Sequence, residues 1–207
     1  MKCVLVTGFE PFGGDRTNPS RLIAEQLDGA TIAGYRVVAG ELPTVARSCG
    51  ERALELIEKW QPQVVINLGQ AGGRPDIGVE RVAINLRDYR IPDNANQQPQ
   101  DEPVRPGGPV AYFATIPVKR IVHSLVEAGI PASVSYSAGT FCCNEVFYTV
   151  SHYAATVNPT LRNGFIHVPL LPEQAANSAL PRPSMSLATM VEAVRIAVAE
   201  CIRALQE

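Results

Sequence analysis

Apolar residues along this chain alternate between two rhythms: short continuous runs, and stripes recurring every three or four positions. Lys2–Thr7 is a run closed by Gly8, which predicts a strand buried on both faces. Asn18 and Pro19 then supply an N-cap and a first-turn proline for a helix reaching about Leu27. Tyr35–Leu42 predicts a second strand. Thr44 is the expected cap of a longer helix with the stripe Val45, Cys49, Ala53, Leu56, Ile57 and Trp60, stopped by Pro62. Val64–Leu68 reads as another buried strand. Val79–Leu86 sets Val79, Arg81, Ala83 and Asn85 against Glu80, Val82, Ile84 and Leu86, as an edge or antiparallel strand returning from the same rim would. Pro117 opens a helix ending near Gly129, with Val118, Ile121, Val122, Leu125 and Val126 inward. Ala132–Tyr136 alternates like a strand, and from Cys143 the residues Val146, Phe147, Val150 and Ala154 recur at helical spacing. Gly164–Val168 is the last run. Ser186 caps a C-terminal helix carrying Met190, Val194, Ala197, Cys201 and Leu205, with Ile196 flanking. Strands alternating with helices throughout predict a three-layer α/β/α sandwich with a largely parallel, mixed sheet, formed by one domain over residues 1–207.

The stretches between these elements narrow the chemistry. Phe9–Gly14 is a loop holding two aromatics with no side to hide them on. Gly69–Arg74 is glycine-rich, but it lacks a Gly-Lys-Ser/Thr ending and GxGxxG spacing, so it is no phosphate loop. Residues 87–109 are polar and rich in proline and glycine; a connection this long is a lid, an interface or disordered. Pro169, Pro172, Pro181 and Pro183 predict a rigid loop. At 207 residues, 46% hydrophobic and net charge −2, the chain is sized for one globular core, and its scattered Lys and Arg leave no footprint for nucleic acid. The N-terminal run is too short for a signal segment or a membrane span, so no membrane partner is expected. Five cysteines, an odd count with two adjacent, point to reduced thiols in a cytoplasm.

Ser137–Tyr148 joins the end of a strand, a glycine turn and a helix with thiols in its first turn. Free N–H groups and the positive end of such a helix favour a thiolate, and the arrangement matches the one that exposes serine in α/β-hydrolases. The alternative is that Cys142 and Cys143 merely pack. A nucleophile needs a base, and there are three histidines. His123 shares a helix face with Lys119 and Glu127 and reads as solvated; His152 lies near a helix end. His167 ends an apolar strand, either as a satisfied core histidine or at a site. Sites in open α/β sheets lie beyond the carboxyl ends of the strands, where Gly8-Phe9, Gly69-Gln70, Ala138–Cys143 and His167 would converge. Glu80, interrupting an apolar face, is the carboxylate that could orient the imidazole; otherwise it is a surface group or a partner for Arg74 or Arg81. Without HExxH or CxxC, a metal site is the weaker option.

These blocks together resemble the pyrrolidone-carboxylate peptidases, also called type I pyroglutamyl peptidases. The likeness runs through Thr7–Gly14 with Asn18–Ser20, Gly69–Arg74, Glu80–Asn85, Arg90–Asn94, Ser137–Phe141, Cys143-Asn144, Gly164–Pro169 and Pro172–Gln174. It implies a cysteine exopeptidase that takes N-terminal pyroglutamate from peptides by thiolate acyl transfer, without a cofactor, with Glu80, Cys143 and His167 as the triad. It further implies a lactam pocket of Phe9, Phe12, Gln70 and Phe141, Arg90 near the oxyanion, a fold like that of nucleoside phosphorylases, and a cytoplasmic homotetramer. A phosphorylase-like transferase and a non-catalytic pyroglutamyl-peptide binder are the alternatives. The second thiol, Cys142, sits awkwardly beside the nucleophile. Neighbouring helical side chains diverge by about 100°, and Cys143, heading the apolar stripe, is the one expected to face His167.

Overall fold

The computed structural model describes residues 2–207. Its main sheet is built on β1 (Cys3–Phe9), which pairs in parallel with β3 (Tyr35–Leu42) on one side and β4 (Val64–Gln70) on the other. β9 (Arg162–Val168) continues the parallel set beyond β4. The two-residue β2 (Thr31–Ile32) closes one edge, and β5 (Ile77–Glu80) with β8 (Ala132–Ser135) closes the other, giving the order β2-β3-β1-β4-β9-β5-β8. Every residue of β1 is buried, as expected of a strand covered on both faces. Helices α1 (Pro19–Leu27), α3 (Val118–Glu127) and α6 (Leu187–Gln206) pack together along one face; α2 (Ser48–Trp60) and α4 (Cys142–Thr156) cover the other. This is the mixed, mostly parallel α/β fold expected from the alternation of runs and stripes.

Local signals placed several ends correctly. The Asn18 side chain accepts from the Ser20 N–H with Pro19 at the first turn, and Ser186 accepts from Thr189. Thr44 does not cap α2. Its N–H donates to Glu10 Oε1 and its hydroxyl to the Glu10 carbonyl, so the chain passes through a positive-φ Arg47 before the helix starts at Ser48. Val126, expected inward, is exposed. The proline-rich C-terminal loop contains a short helix, α5 (Pro172–Ala176).

The largest departure is at Val79–Leu86, which is not one strand. β5 ends at Glu80, and the chain breaks at Arg81 and re-enters a separate hairpin of β6 (Val82–Ile84) and β7 (Ala111–Phe113). β5 lies inside the sheet, antiparallel to β9 and parallel to β8. Glu80 therefore ends the return strand rather than beginning it. β8 also runs against β1, β4 and β9, so the residues after it do not leave at their rim; segment 136–141 crosses back to start α4 over β9 and β4. A buried polar chain holds that helix to the sheet. The Thr7 hydroxyl donates to Asn67 Oδ1 (2.8 Å), Asn67 Nδ2 to Asn163 Oδ1 (3.1 Å), and Asn163 Nδ2 to Ser151 Oγ (2.9 Å).

Segment 87–109 is largely exposed but pinned at several points. The Asp93 carboxylate accepts from the N–H groups of Ala46, Ala95 and Gln97, and Asn94 Nδ2 donates to Glu10 Oε1 and to the Pro11 carbonyl. Tyr89 is buried with its ring 4.2 Å from that of Phe141. The segment backs the loops at the rim.

Candidate active site

Gly69 is where the parts meet. In the β4–β9 ladder it pairs in register with His167, and a Cβ placed on it would lie 2.8 Å from Cys143 Sγ and 2.8 Å from the tip of the Phe165 ring. The missing side chain is the space the thiol occupies, one strand spacing (about 4.8 Å) from the histidine. On the other side of β9, Gly78 pairs with His167, and Glu80 lies two residues on along the same face of β5. That diagonal neighbour reaches the imidazole: Glu80 Oε1 is 2.7 Å from His167 Nδ1. Glu80 is 0% and His167 5% exposed. A carboxylate on Nδ1 holds the ring so that Nε2 is left to work as a base. Glu80 is thus no surface carboxylate. Its partnership with Arg74 (3.0 Å) does exist, alongside its bond to His167 rather than instead of it.

Cys143 sits in the first turn of α4, whose cap residue Phe141 provides no side-chain hydrogen bond. The first-turn N–H groups have no partner within the helix and point toward the region of the thiol. The stripe below Cys143, comprising Val146, Phe147, Val150 and Ala154, is buried against the sheet as expected. The expected lowering of its thiol pKa is not found. Burial raises it well above the usual thiol range, Cys142 and Glu80 add to the rise, and only its own backbone N–H and Arg74 oppose it. The magnitudes explain the outcome: a helix end contributes about 1 kcal/mol, under one pKa unit at about 1.4 kcal/mol, whereas desolvation reaches about 3–5 units when complete and outweighs the helix end even for the half-buried Cys143. The proton therefore rests on sulfur in this state. No Cys143–His167 hydrogen bond is formed here; such bonds commonly tighten only around a substrate.

Cys142 faces another neighbourhood. It is 0% exposed, with Sγ 3.2 Å from the Tyr89 hydroxyl. That hydroxyl donates to Glu145 Oε2 (2.9 Å), and Glu145 Oε1 accepts from Arg87 Nη2 (2.7 Å) and the Arg47 N–H (2.8 Å). The cluster ties α4 to α2 and to segment 87–109. The sequence signalled none of it, because Glu145 stands off the apolar stripe of its helix, Arg87 opens a polar segment, and only the fold shuts them in.

Of the residues expected around a lactam, Phe9, Phe12, Gln70 and Phe141 line one small cavity with Cys142 and Cys143. It measures about 20 Å³, room for a single water molecule, so a ring would enter only as the half-buried Phe12 and Phe141, 6.0 Å apart, give way. Gln70 is held by side chains the sequence reading passed over: its Nε2 donates to Asp15 Oδ2 (2.9 Å), and its Oε1 accepts from Gln174 (3.0 Å). Arg90 is exposed, bonds to no described residue and does not line this cavity. His123 is exposed beside Glu127, and His152 bonds the Tyr112 hydroxyl (2.8 Å), so neither joins the thiol. The larger clefts lie elsewhere. One of about 610 Å³ between α2, α4 and residues 102–106 opens onto Glu145 and Arg87 rather than the thiol. Another of about 700 Å³ starts at Gln70 and runs between Gly14–Thr17 and α5. Among the described residues, no helix is long and apolar enough to cross a membrane.

Known proteins match this chain along its whole length. A family model described as pyroglutamyl peptidase covers residues 2–204. The pyrrolidone-carboxylate peptidase of Coprothermobacter proteolyticus is 58% identical over 96% of each chain, and that of Vibrio vulnificus is 49% identical over all of this chain and 96% of its own. Among solved structures, pyroglutamyl peptidase I of Bacillus amyloliquefaciens superposes with a TM-score of 0.95 at 44% identity, covering 98% of both chains. A mutant pyrrolidone carboxyl peptidase from Pyrococcus furiosus gives 0.96 at 44% identity, covering 99% of this chain and all of its own. With a matching family model, close relatives and a shared fold, the chain belongs to the pyroglutamyl peptidase family.

Proposed function

We propose that this protein is a thiol peptidase removing N-terminal pyroglutamate from peptides, with Cys143 as nucleophile, His167 as base and then acid, and Glu80 as the orienting carboxylate. The observation that carries the reading is the meeting at Gly69: a thiol in a helix's first turn beside a histidine whose far nitrogen is held by a buried carboxylate. Because burial keeps the thiol protonated, the proton leaves for His167 Nε2 as Sγ attacks the pyroglutamyl carbonyl carbon. The oxyanion is taken by N–H groups at the start of α4. His167 protonates the departing amine, and water, activated by the same imidazole, releases pyroglutamate and restores the thiol. Arg90 keeps its oxyanion role on the family likeness alone, since no contact of its side chain supports it.

Phe9, Phe12 and Phe141 would enclose the neutral lactam, with Gln70 as its amide partner and the cleft beyond Gln70 as room for the rest of the peptide. Pyroglutamyl-aminocoumarin is therefore expected to be cleaved, and the open-chain glutaminyl analogue is not, because its ammonium would be desolvated against aromatics with no anion to meet it. Comparable rates on the two would remove the lactam pocket. A phosphorylase reading needs a free anion site of Arg and Ser. Arg74 does lie with Ser135, but its charge is already engaged by Glu80.

One buried core, packed around the seven-stranded sheet, supports a single domain over 1–207. The family likeness supports a cytoplasmic homotetramer, and exposed Val110 and Phe113 on and beside β7 offer apolar surface for assembly. Light scattering should give four times the chain mass; the mass of one chain would refute assembly.

A further inference from the structure

We propose that Arg74 is a positioning residue for the reaction: it holds the Glu80 side chain in its buried position and fixes which oxygen the carboxylate turns to His167. This rests on the reading of Glu80, His167 and Cys143 given above.

Glu80 has no access to water, and its Oε2 atom has no hydrogen-bond partner. Everything that stabilises its charge converges on Oε1, which meets His167 Nδ1 at 2.7 Å and accepts from Arg74 Nη1 at 3.0 Å. The imidazole is cationic for only part of the cycle. A guanidinium is cationic throughout, so it alone supplies a constant counter-charge and a fixed donor to the buried carboxylate. The guanidinium is held as well as charged. Nη1 also donates to Ser135 Oγ (3.1 Å) and Nη2 to the Ser137 carbonyl (3.1 Å), anchoring it to the end of β8 and the segment that follows.

Its path to Glu80 is kept open by a glycine. A Cβ on Gly78, the residue paired with His167, would lie 2.6 Å from Arg74 Nη1. Arg74 belongs to the Gly69–Arg74 loop, so one turn supplies the space for the thiol, the amide of the expected lactam pocket and the counter-charge of the carboxylate. The titratable groups beside the pair include Cys143 from the first turn of α4, with Cys142 next to it, and Arg74 itself. Arg81, next to Glu80 in sequence, lies over the Phe113 ring instead (5.3 Å). Arg74 also opposes the burial that raises the Cys143 thiol.

The test measures kcat and KM of pyroglutamyl-aminocoumarin against pH for Arg74→Gln and Arg74→Lys. Removing a positive charge makes every proton nearby harder to remove, so the acid limb of kcat/KM should move to higher pH in Arg74→Gln. Its kcat should fall about tenfold or more, less than the roughly 10²–10⁴-fold that a general acid–base group itself contributes, with KM nearly unchanged. Arg74→Lys should bring the limb back and recover most of kcat. Gly78→Ala, which displaces the guanidinium but keeps its charge, should lower kcat with a smaller shift, and it serves if Arg74→Gln does not fold. A limb that stays in place in Arg74→Gln, or in Gly78→Ala where that variant replaces it, or an Arg74→Lys that folds yet leaves the limb shifted, would overturn the proposal. Full turnover by Cys143→Ser would instead overturn the reading of the site on which it rests.

Discussion

Cys143→Ser is expected to abolish turnover of a pyroglutamyl reporter, while Cys142→Ser keeps most of it. The two thiols are adjacent in sequence, but they open onto different rooms of the fold. Cys143 Sγ lies in the gap left by Gly69, next to the strand position of His167. Cys142 Sγ is sealed behind it against the Tyr89 hydroxyl, in the cluster held by Glu145 and Arg87. A serine at 142 can keep a hydrogen bond to Tyr89, so its cost falls on stability and is bounded by an imbalanced buried hydrogen bond, about 1–3 kcal/mol. Alkylation followed by peptide mass analysis gives a second measurement. Limiting iodoacetamide should label Cys143 first, since the other four thiols are buried, and pyroglutamate should protect it. Because burial holds its proton, the labelling rate should keep climbing through the alkaline range instead of levelling near neutrality. Labelling of Cys142 first, together with a dead Cys142→Ser, would reverse the assignment.

Glu80→Gln should lower kcat by about ten- to ten-thousand-fold, by comparison with replacement of the carboxylate in a Ser-His-Asp triad, and leave the fold intact. The amide fills the same space but brings no charge to the imidazolium that forms when His167 takes the thiol proton. Its Nε2 can also donate to His167 Nδ1, which favours the tautomer with its proton on the wrong nitrogen. Arg74 loses its carboxylate too, but it is partly exposed and water can take over part of that contact. Far-UV circular dichroism and a thermal melt separate the catalytic loss from unfolding. Activity within twofold of the parent would leave Glu80 with a structural task only.

Both variants act where the fold brings separate segments together, and the limits of sequence reading are drawn at the same places. Signals that act within one element are legible along the chain. Asn18-Pro19 opens α1 because a side-chain oxygen and a ring-fixed φ satisfy a helix start locally. The all-apolar run of β1 reports burial on both faces, and the Val146, Phe147, Val150 and Ala154 stripe reports which side of α4 meets the sheet. The α/β class follows from such signals, and so does the preference for Cys143 over Cys142 as the thiol nearer the strands. Direction and pairing do not follow, because they depend on residues far apart. Nothing local marks that β5 and β8 run against β9, that the alternating stretch breaks at Arg81 to enter a second sheet, or that Glu10 draws Thr44 away from the helix it was expected to cap. The electrostatics of the site are also a tertiary property. A cysteine in a helix's first turn suggests a lowered pKa, but desolvation acts on the same group with a larger energy, and its extent is set by Phe165, Gly69 and the rest of the packed sheet. In sequence, Glu80 is a carboxylate interrupting an apolar face, with the imidazole and Arg74 as alternative partners. Only the crossing of β5 beside β9 buries that carboxylate on His167 and brings Arg74 to the same oxygen.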